Sequence, residues 1–309
     1  MRHRFRGISH REMLIFKGQQ RFAEWSPFLD YGDQEASVWL QAALDWANDP
    51  LPATFRKTIK INATLPAVEP EKILEILAQF EGFDTVKIKV AEPGQNIAQD
   101  LDRVRFVAEH FPEARLRLDA NGGYSTDQAM EVAMAISPLR IEYLEQPVAT
   151  VSELIELKGR LTHAGIPIKI AADESIRKAS DPLEVAKLGA ADIVVLKVQP
   201  LGGIAEAKSI ASESGLEVVV SSALETSLGI AQGLYLAAAL PTLNYACGLG
   251  TLNLLAGDVC TESLIPKNSE LELRVPEPAP ELLAKFEAAP DRIAFWEARL
   301  ERCLALLQS

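Results

Sequence analysis

The sequence predicts an α/β protein: a modified (β/α)7β TIM-like barrel, preceded by a separate α+β piece and followed by a tail. Three observations carry that expectation. The chain has 309 residues, 48% of them hydrophobic, which is enough for a large core and suits one large barrel with an attachment. From about residue 58 a unit recurs in which a short β-branched segment, a polar turn and an amphipathic stretch with helical spacing follow one another. Residues 1 to about 56 do not join that rhythm.

Taken in order, residues 1–56 read as short strands in HRFRGIS, REMLIFKG and QRFAEW. A helix follows from about Asp33 to Ala47, stopped by DPLP because proline cannot continue it. The barrel, residues 57–262, offers eight strand candidates: TIKINAT, TVKIKVA, RLRLDAN, IEYLEQP, IKIAADE, DIVVLKV, EVVVSSA and TLNYACG. Between them lie helix candidates EPEKILEILAQFEGF, NIAQDLDRVRFVAEHF, TDQAMEVAMAI, SELIELKGRLTHAG, DPLEVAKLGA, GIAEAKSIASESG and LGIAQGLYLAAAL, several opened by Ser, Thr, Asp or Pro. Such alternation demands parallel strands with right-handed crossovers, and eight strands with seven helices favour a closed barrel over an open sheet. The tail, residues 263–309, has a strand-like ELELRV, a Pro-rich PEPAPE and a helical end with Phe295, Trp296, Leu300 and Leu304. It is expected to pack on the N-terminal piece or on the barrel.

The net charge of −12 and a pI near 5.0 argue against a nucleic-acid partner, since phosphate binding needs clustered Lys and Arg. Cys247, Cys260 and Cys303 are far apart, odd in number and without CxxC spacing, so neither a disulfide framework nor a structural zinc is indicated. No signal peptide is read at the start and no apolar run reaches membrane-spanning length. A cytoplasmic enzyme with a small-molecule partner, and no evident obligate protein partner, is the expectation. His3, His10, His110 and His163 are scattered, which favours structural or solvated roles over metal ligation. Nucleotide-binding glycine loops, the GxSxG elbow and HExxH are absent from the sequence.

In such a barrel the active site lies at the C-terminal strand ends. The second strand there offers Lys87 and Lys89, the third Asp119 and Asn121, the fourth Glu145, the fifth Asp173 and Glu174, the sixth Lys197, and the seventh Ser221 and Ser222. Each has a plainer reading: the lysines a solvated strand face, Asp119 a turn cap, Glu145 a loop carboxylate, Asp173 a helix cap. Together they converge on one mouth. Three carboxylates repel one another and call for a cation, and an all-oxygen donor set suits Mg²⁺, with Mn²⁺ as a substitute. The open positions of such a metal suit a substrate carboxylate whose α-proton is removed to give an enediolate. Lysine is ordinarily too protonated to be the base, but burial and a neighbouring ammonium lower its pKa, which supplies a reason for pairing Lys87 with Lys89.

These motifs resemble the enolase superfamily in its muconate-cycloisomerase-like branch: KIK, DAN, EQP, ADES and LKVQPLGG on successive strands. The spacings of 26 residues from Asp119 to Glu145 and 28 from Glu145 to Asp173 each accommodate one βα unit. The resemblance implies a capping domain over the barrel and Mg²⁺ on Asp119, Glu145 and Asp173. Within that superfamily the short cap, RGISHRE, FAEWSPFLDYGDQEASVWLQAALD and SSALETSLGIAQGL are similar to the o-succinylbenzoate synthase family of menaquinone biosynthesis. That similarity implies a lyase for syn-dehydration of 2-succinyl-6-hydroxy-2,4-cyclohexadiene-1-carboxylate to o-succinylbenzoate. Lys89 would abstract the α-proton and return it to the departing hydroxyl, and Lys197 would act as a cation over the ring. Asn121, Ser221, Ser222 and the backbone of Gly248 to Gly250 are the candidates for holding substrate, all but Asn121 at its succinyl end. Relatives often carry proline closer to the sixth-strand lysine, whereas Pro200 here stands three positions on.

The alternative within the superfamily is an N-succinylamino acid racemase or dipeptide epimerase, with Lys89 and Lys197 as bases on opposite faces. A catalytically silent barrel is disfavoured by the complete set of costly like charges. A sugar isomerase is disfavoured by the lack of a glycine-rich phosphate loop after the seventh strand.

Overall fold

The computed structural model describes residues 1, 2, 5 and 7–308. Of the expected first strand, His3, Arg4 and Arg6 lie outside the described residues, while Phe5 and Ile8 form an isolated antiparallel bridge. The cap continues with β1 (Leu14–Lys17) and β2 (Phe22–Trp25), an antiparallel pair, and α1 (Asp33–Asn48). The turn after β1 packs tightly: a Cβ on Gly18 would lie 2.5 Å from the Cβ of Ala47, so this turn requires glycine. The inner face of α1 buries Trp39, Leu40, Ala43, Trp46 and Ala47.

The next elements are β3 (Thr58–Lys60), β4 (Ala63–Leu65), α2 (Ile73–Leu77), β5 (Thr85–Lys89), α3 (Ile97–His110), β6 (Arg115–Asp119), α4 (Thr126–Ile136), β7 (Ile141–Glu145) and α5 (Val151–His163). They lead to β8 (Lys169–Ala172), α6 (Glu174–Arg177), α7 (Glu184–Lys187), β9 (Ile193–Leu196), α8 (Ile204–Ser214), β10 (Glu217–Val220) and α9 (Ser227–Ala239). Reciprocal capping boxes, Asn96 with Gln99, Ser125 with Gln128 and Thr150 with Glu153, fix the starts of α3, α4 and α5. Strands β4 to β10 form one parallel sheet of seven in sequence order. Its inward residues Tyr143, Ala171, Ile193, Val195 and Val219 make the apolar filling. Helix α9 is buried along its whole length, because β2 of the cap covers the side that β3 and β10 do not.

Several elements depart from expectation. TIKINAT is two strands, since residues 58–60 pair antiparallel with the tail while 63–65 join the barrel. Between them the amides of Ile61 and Asn62 turn to the carbonyls of Ser269 and Cys247. TLNYACG is not an extended strand: Cys247 bridges Ile61 and Gly248 bridges Ser221, closing the barrel between β4 and β10 through single residues. DPLEVAKLGA holds only the single turn of α7, and EPEKILEILAQFEGF shortens to a 3-10 turn at Pro70–Lys72 plus α2.

The tail adds β11 (Glu270–Glu272), α10 (Pro280–Lys285) and α11 (Pro290–Gln308). It packs on both candidates at once: β11 pairs with β3 at the entry to the barrel and Lys267 bridges Glu81, while α11 lies along α1, and Trp296 meets Trp25 edge-on at 5.3 Å. Among the described residues no helix is long and apolar enough to cross a membrane.

Candidate active site

Period-2 alternation turns Lys87 and Lys89 of β5 to the same side, and burial shows that side to be the barrel interior. They are 6% and 5% exposed, which removes the solvated-face reading. Parallel register sets Lys89 beside Asp119 and Asp119 beside Glu145. Lys87 lies one inward position deeper, level with Arg117.

The charges interlock. Lys87 Nζ is 2.5 Å from Glu145 Oε1 and 2.9 Å from Asp119 Oδ2, and Lys89 Nζ is 2.5 Å from the same Asp119 oxygen. Across the mouth Lys197 Nζ lies 2.5 Å from Asp173 Oδ2. Burial depresses the pKa of both β5 lysines, but Asp119 and Glu145 outweigh it at Lys87, which is raised. At Lys89 burial prevails over the pull of Asp119, with the Lys87 charge adding to it, and the pKa is lowered. Burial and the Asp119 charge push Glu145 up to about 7. Asp119 and Asp173 remain low despite burial, held there by Lys87 and Lys89 in one case and by Lys197 and Arg177 in the other.

The loops that present these groups are held by specific bonds. Arg103, paired with Asp100, donates to the carbonyl of Lys89 at 3.0 Å and so fixes the end of β5. Asn121 sits at φ 46°, a conformation asparagine tolerates, with its amide N–H on Asp119 Oδ1 and its side-chain oxygen accepting from Lys89 at 2.5 Å. Gln146 accepts from the amides of Asp173 and Ser175, both at 3.1 Å, which shapes the turn after β8. Asp173 occupies the N-cap of α6 yet its side chain makes no capping bond, and Glu145 is fully buried, so neither simpler reading applies.

The cavity at this mouth measures about 30 Å³ and is lined by Lys87, Lys89, Asp119, Asn121, Lys197, Ser221, Ser222 and Gly248. Phe5 and Phe28 of the cap, with Thr64, Ala223, Leu224 and Thr251, complete the wall and were not singled out from sequence. Phe28 had a signal in WSPFLDYGD. Lys89 lies 5.2 Å from the centroid of the Phe5 ring. Gly250 is not in the lining: a Cβ there would face Ile61 at 3.0 Å and the Asn62 carbonyl at 3.1 Å, so its role is close packing. A larger space of about 690 Å³ opens at the N-terminal end of the barrel, where the arginines are already engaged, Arg140 with Glu113, Arg115 with Glu142 and Arg56 with three carbonyls. Beneath the mouth, Arg117 is fully buried, pairs with Glu142 at 2.6 Å and stacks on Tyr143, another residue sequence reasoning missed.

Residues 72–280 match the family model described as enolase C-terminal domain-like, and residues 1–47 the enolase N-terminal domain-like model. An o-succinylbenzoate synthase from Mycobacterium ulcerans is 49% identical over 99% of this chain and 92% of its own length. One from Thermobifida fusca is 47% identical over 97% of this chain and 92% of its own. The chain belongs to the o-succinylbenzoate synthase family of the enolase superfamily. The fold agrees: muconate lactonizing enzyme from Pseudomonas putida superposes with a TM-score of 0.73 at 20% identity, covering 86% of this chain and 90% of that one.

Membership of the o-succinylbenzoate synthase family makes the chain an enzyme acting on a small molecule and implies a divalent metal ion. Among the described residues no three His, Cys, Asp or Glu side chains stand together as a ready metal cage. The reason is visible: Lys87 lies between Asp119 and Glu145, and Lys197 is on Asp173. The donors nevertheless fit the metal. They are hard carboxylate oxygens at the C-terminal ends of three consecutive strands, and Glu145 Oε2 is buried without a hydrogen-bond partner among the described residues.

Proposed function

We propose that this mouth dehydrates 2-succinyl-6-hydroxy-2,4-cyclohexadiene-1-carboxylate to o-succinylbenzoate, with Lys89 as acid/base and Asp119, Glu145 and Asp173 as ligands of Mg²⁺, which Mn²⁺ can replace. The observation that carries the chemistry is the placement of Lys89 against Asp119 and Asn121 in the wall of the cavity, with Glu145 and Asp173 just behind that wall on Lys87 and Lys197. The 49% likeness to an o-succinylbenzoate synthase selects the substrate. When bound, the divalent ion supplies Lewis-acid stabilisation of the charge that develops on the substrate carboxylate.

The chain's own residues do the rest. Asp119 and Asn121 engage the Lys89 ammonium, leaving one further Nζ valence for the cavity, which becomes the lone pair when Lys89 is neutral. Burial and the Lys87 charge favour that neutral form. Neutral Lys89 takes the proton α to the carboxylate, the C–H electrons form the ring double bond, and the C–O bond breaks. The same Nζ returns the proton to the departing hydroxyl, which leaves as water, so one lysine on one face suffices. Lys197 places a positive charge over the ring from the opposite side. Phe5 and Phe28 exclude solvent, and a space of about 30 Å³ requires them to move for a ring-sized substrate to enter. Ser221, Ser222 and the backbone at Gly248 are assigned to the succinyl end. We place the reaction in the cytoplasm, in keeping with three buried free cysteines, and divide the chain into cap 1–56, barrel 57–262 and tail 263–309.

The test is a Mg²⁺-dependent assay with the cyclohexadiene, read as loss of diene absorbance and appearance of the aromatic acid. Efficient racemisation of N-succinyl amino acids without dehydration would overturn the assignment in favour of the racemase.

A further inference from the structure

A continuous line of side chains runs from the cap to the proposed acid/base. Tyr31, in the segment joining β2 to α1, is fixed edge-on against Phe28 and Trp39, each with centroids 5.7 Å away. Its hydroxyl accepts from Arg177 Nη1. The same guanidinium donates through Nε to Asp173 Oδ1 at 3.1 Å and through Nη2 to Glu174 Oε1 at 2.5 Å. Glu174 Oε1 also accepts from Asn121 Nδ2 at 3.1 Å, and Asn121 Oδ1 accepts from Lys89 at 2.5 Å.

Each link restricts the next. With Asn121 Nδ2 held by Glu174, its oxygen is the end left to face Lys89. With Asp173 Oδ1 held by Arg177, Oδ2 is the oxygen that faces the mouth and Lys197. The Arg177 side chain is only 2% exposed, so water does not compete for its three engagements. The planar guanidinium fork meets three acceptors in fixed directions, which a lysine ammonium on a flexible stem does not reproduce. Among the described residues Glu174 Oε2 is buried with no partner, and Arg177 and Asn121 orient the carboxylate through its other oxygen.

We propose that Arg177 is a positioning residue that, through Tyr31, makes the placement of Lys89 and Asp173 depend on the cap being seated on the barrel. This rests on the roles assigned above to Lys89 and Asp173. It predicts that loosening the cap contact degrades both the lysine and the carboxylate although neither is touched.

The experiment uses the full chain with three changes: Tyr31→Phe, Arg177→Lys and the two combined. Mn²⁺ affinity is measured by titration calorimetry on metal-stripped protein, and kcat and KM with the cyclohexadiene. Arg177→Lys should weaken Mn²⁺ binding and lower kcat, each by about 10–100-fold, with KM changed by less than about 3-fold. Tyr31→Phe, which removes one oxygen, should move both quantities in the same direction by a smaller factor. The double variant should be no worse than Arg177→Lys, because Tyr31 acts through Arg177. Additive losses, or single variants that keep wild-type Mn²⁺ affinity and kcat and lose only thermal stability, would overturn the proposal. Should Arg177→Lys not fold, Tyr31→Phe decides alone, an unchanged Mn²⁺ affinity and kcat counting against it. If the wild type binds Mn²⁺ but does not dehydrate the cyclohexadiene, the reaction assignment fails while the Mn²⁺ titrations still decide this one.

Discussion

Lys87 donates to Glu145 Oε1 at 2.5 Å while standing 2.9 Å from Asp119, so a single ammonium spans two of the three proposed metal ligands. Lys89, two residues on, pairs with Asp119 and feels Glu145 from further away, with its neighbour's charge against it. Burial alone would lower both pKa values. Asp119 and Glu145 raise both, and at Lys87, which touches each of them, they reverse the effect of burial, whereas at Lys89 burial and the Lys87 charge prevail.

That asymmetry separates the two substitutions. Lys89→Ala should lower kcat by about 10²–10⁴-fold, the range of a general acid/base, and leave the melting temperature nearly unchanged because Asp119 keeps Lys87. Lys87→Met should instead destabilise the metal-free chain by about 3–5 kcal/mol, since Glu145 loses its ionic partner in the interior. Urea unfolding and steady-state rates on both variants check this. Substantial turnover by Lys89→Ala would reject it as acid/base.

Gly248 offers a steric test of the succinyl end. Its backbone is fixed on both sides, donating to Val220 at 2.8 Å and accepting from Ser222 Oγ at 2.9 Å. A Cβ there would lie 2.5 Å from Ser221 Oγ, so Ser221 must yield. Gly248→Ala is expected to raise KM about 10-fold, roughly 1.4 kcal/mol of binding, with Mn²⁺ affinity unchanged. An unchanged KM would remove Ser221 and Gly248 from the substrate site.

A buried carboxylate pair at the seam between cap and barrel sets a pH dependence of stability. Glu225 is pushed up to about 7 from 4.5 by burial and by Glu24, while Arg11 and Lys197 oppose. The folded chain therefore keeps a proton that the unfolded chain releases as pH rises past 4.5. Stability from this group is whole below 4.5 and declines towards pH 7, by on the order of 3 kcal/mol. Glu225→Gln, which can still accept from the Ala223 amide, should match the wild type near pH 4.5 and exceed it at pH 8. Parallel stability profiles from urea melts would show that Glu225 is not the group.

The legible part of this protein is what local pattern dictates. Strand parity turned Lys87 and Lys89 to one side, and their place at strand ends brought Asp119, Glu145 and Lys197 to one mouth. What was not legible depends on partners distant in sequence. The break in TIKINAT is imposed by pairing of Ile59 with Leu271, and the role of Arg177 depends on Tyr31, 146 positions away, being laid against it. The lysines among the carboxylates follow from Coulomb attraction in a dry interior, which strand periodicity does not encode. The packing of Ile61 and Asn62 against Gly250 is likewise not written in the local sequence, because the closed barrel brings them together.

The tail reaches the site through Arg299. Its side chain is 3% exposed, donates to the carbonyls of Tyr31 at 2.6 Å and Phe28 at 3.5 Å, and lies 5.4 Å from the centroid of the Trp296 ring. Phe28 lines the cavity and Tyr31 bonds to Arg177, so α11 holds from behind the cap segment that closes the mouth. Arg299→Met preserves most of the packing volume but leaves the buried Tyr31 carbonyl without this donor, a loss of about 1–3 kcal/mol. Asp33 keeps Arg302 at 2.6 Å, so the start of α1 should hold. The expected result is a lower urea midpoint together with a several-fold higher KM, as Phe28 loses its fixed position. A lower midpoint with KM unchanged would show that α11 stabilises the fold without positioning the mouth.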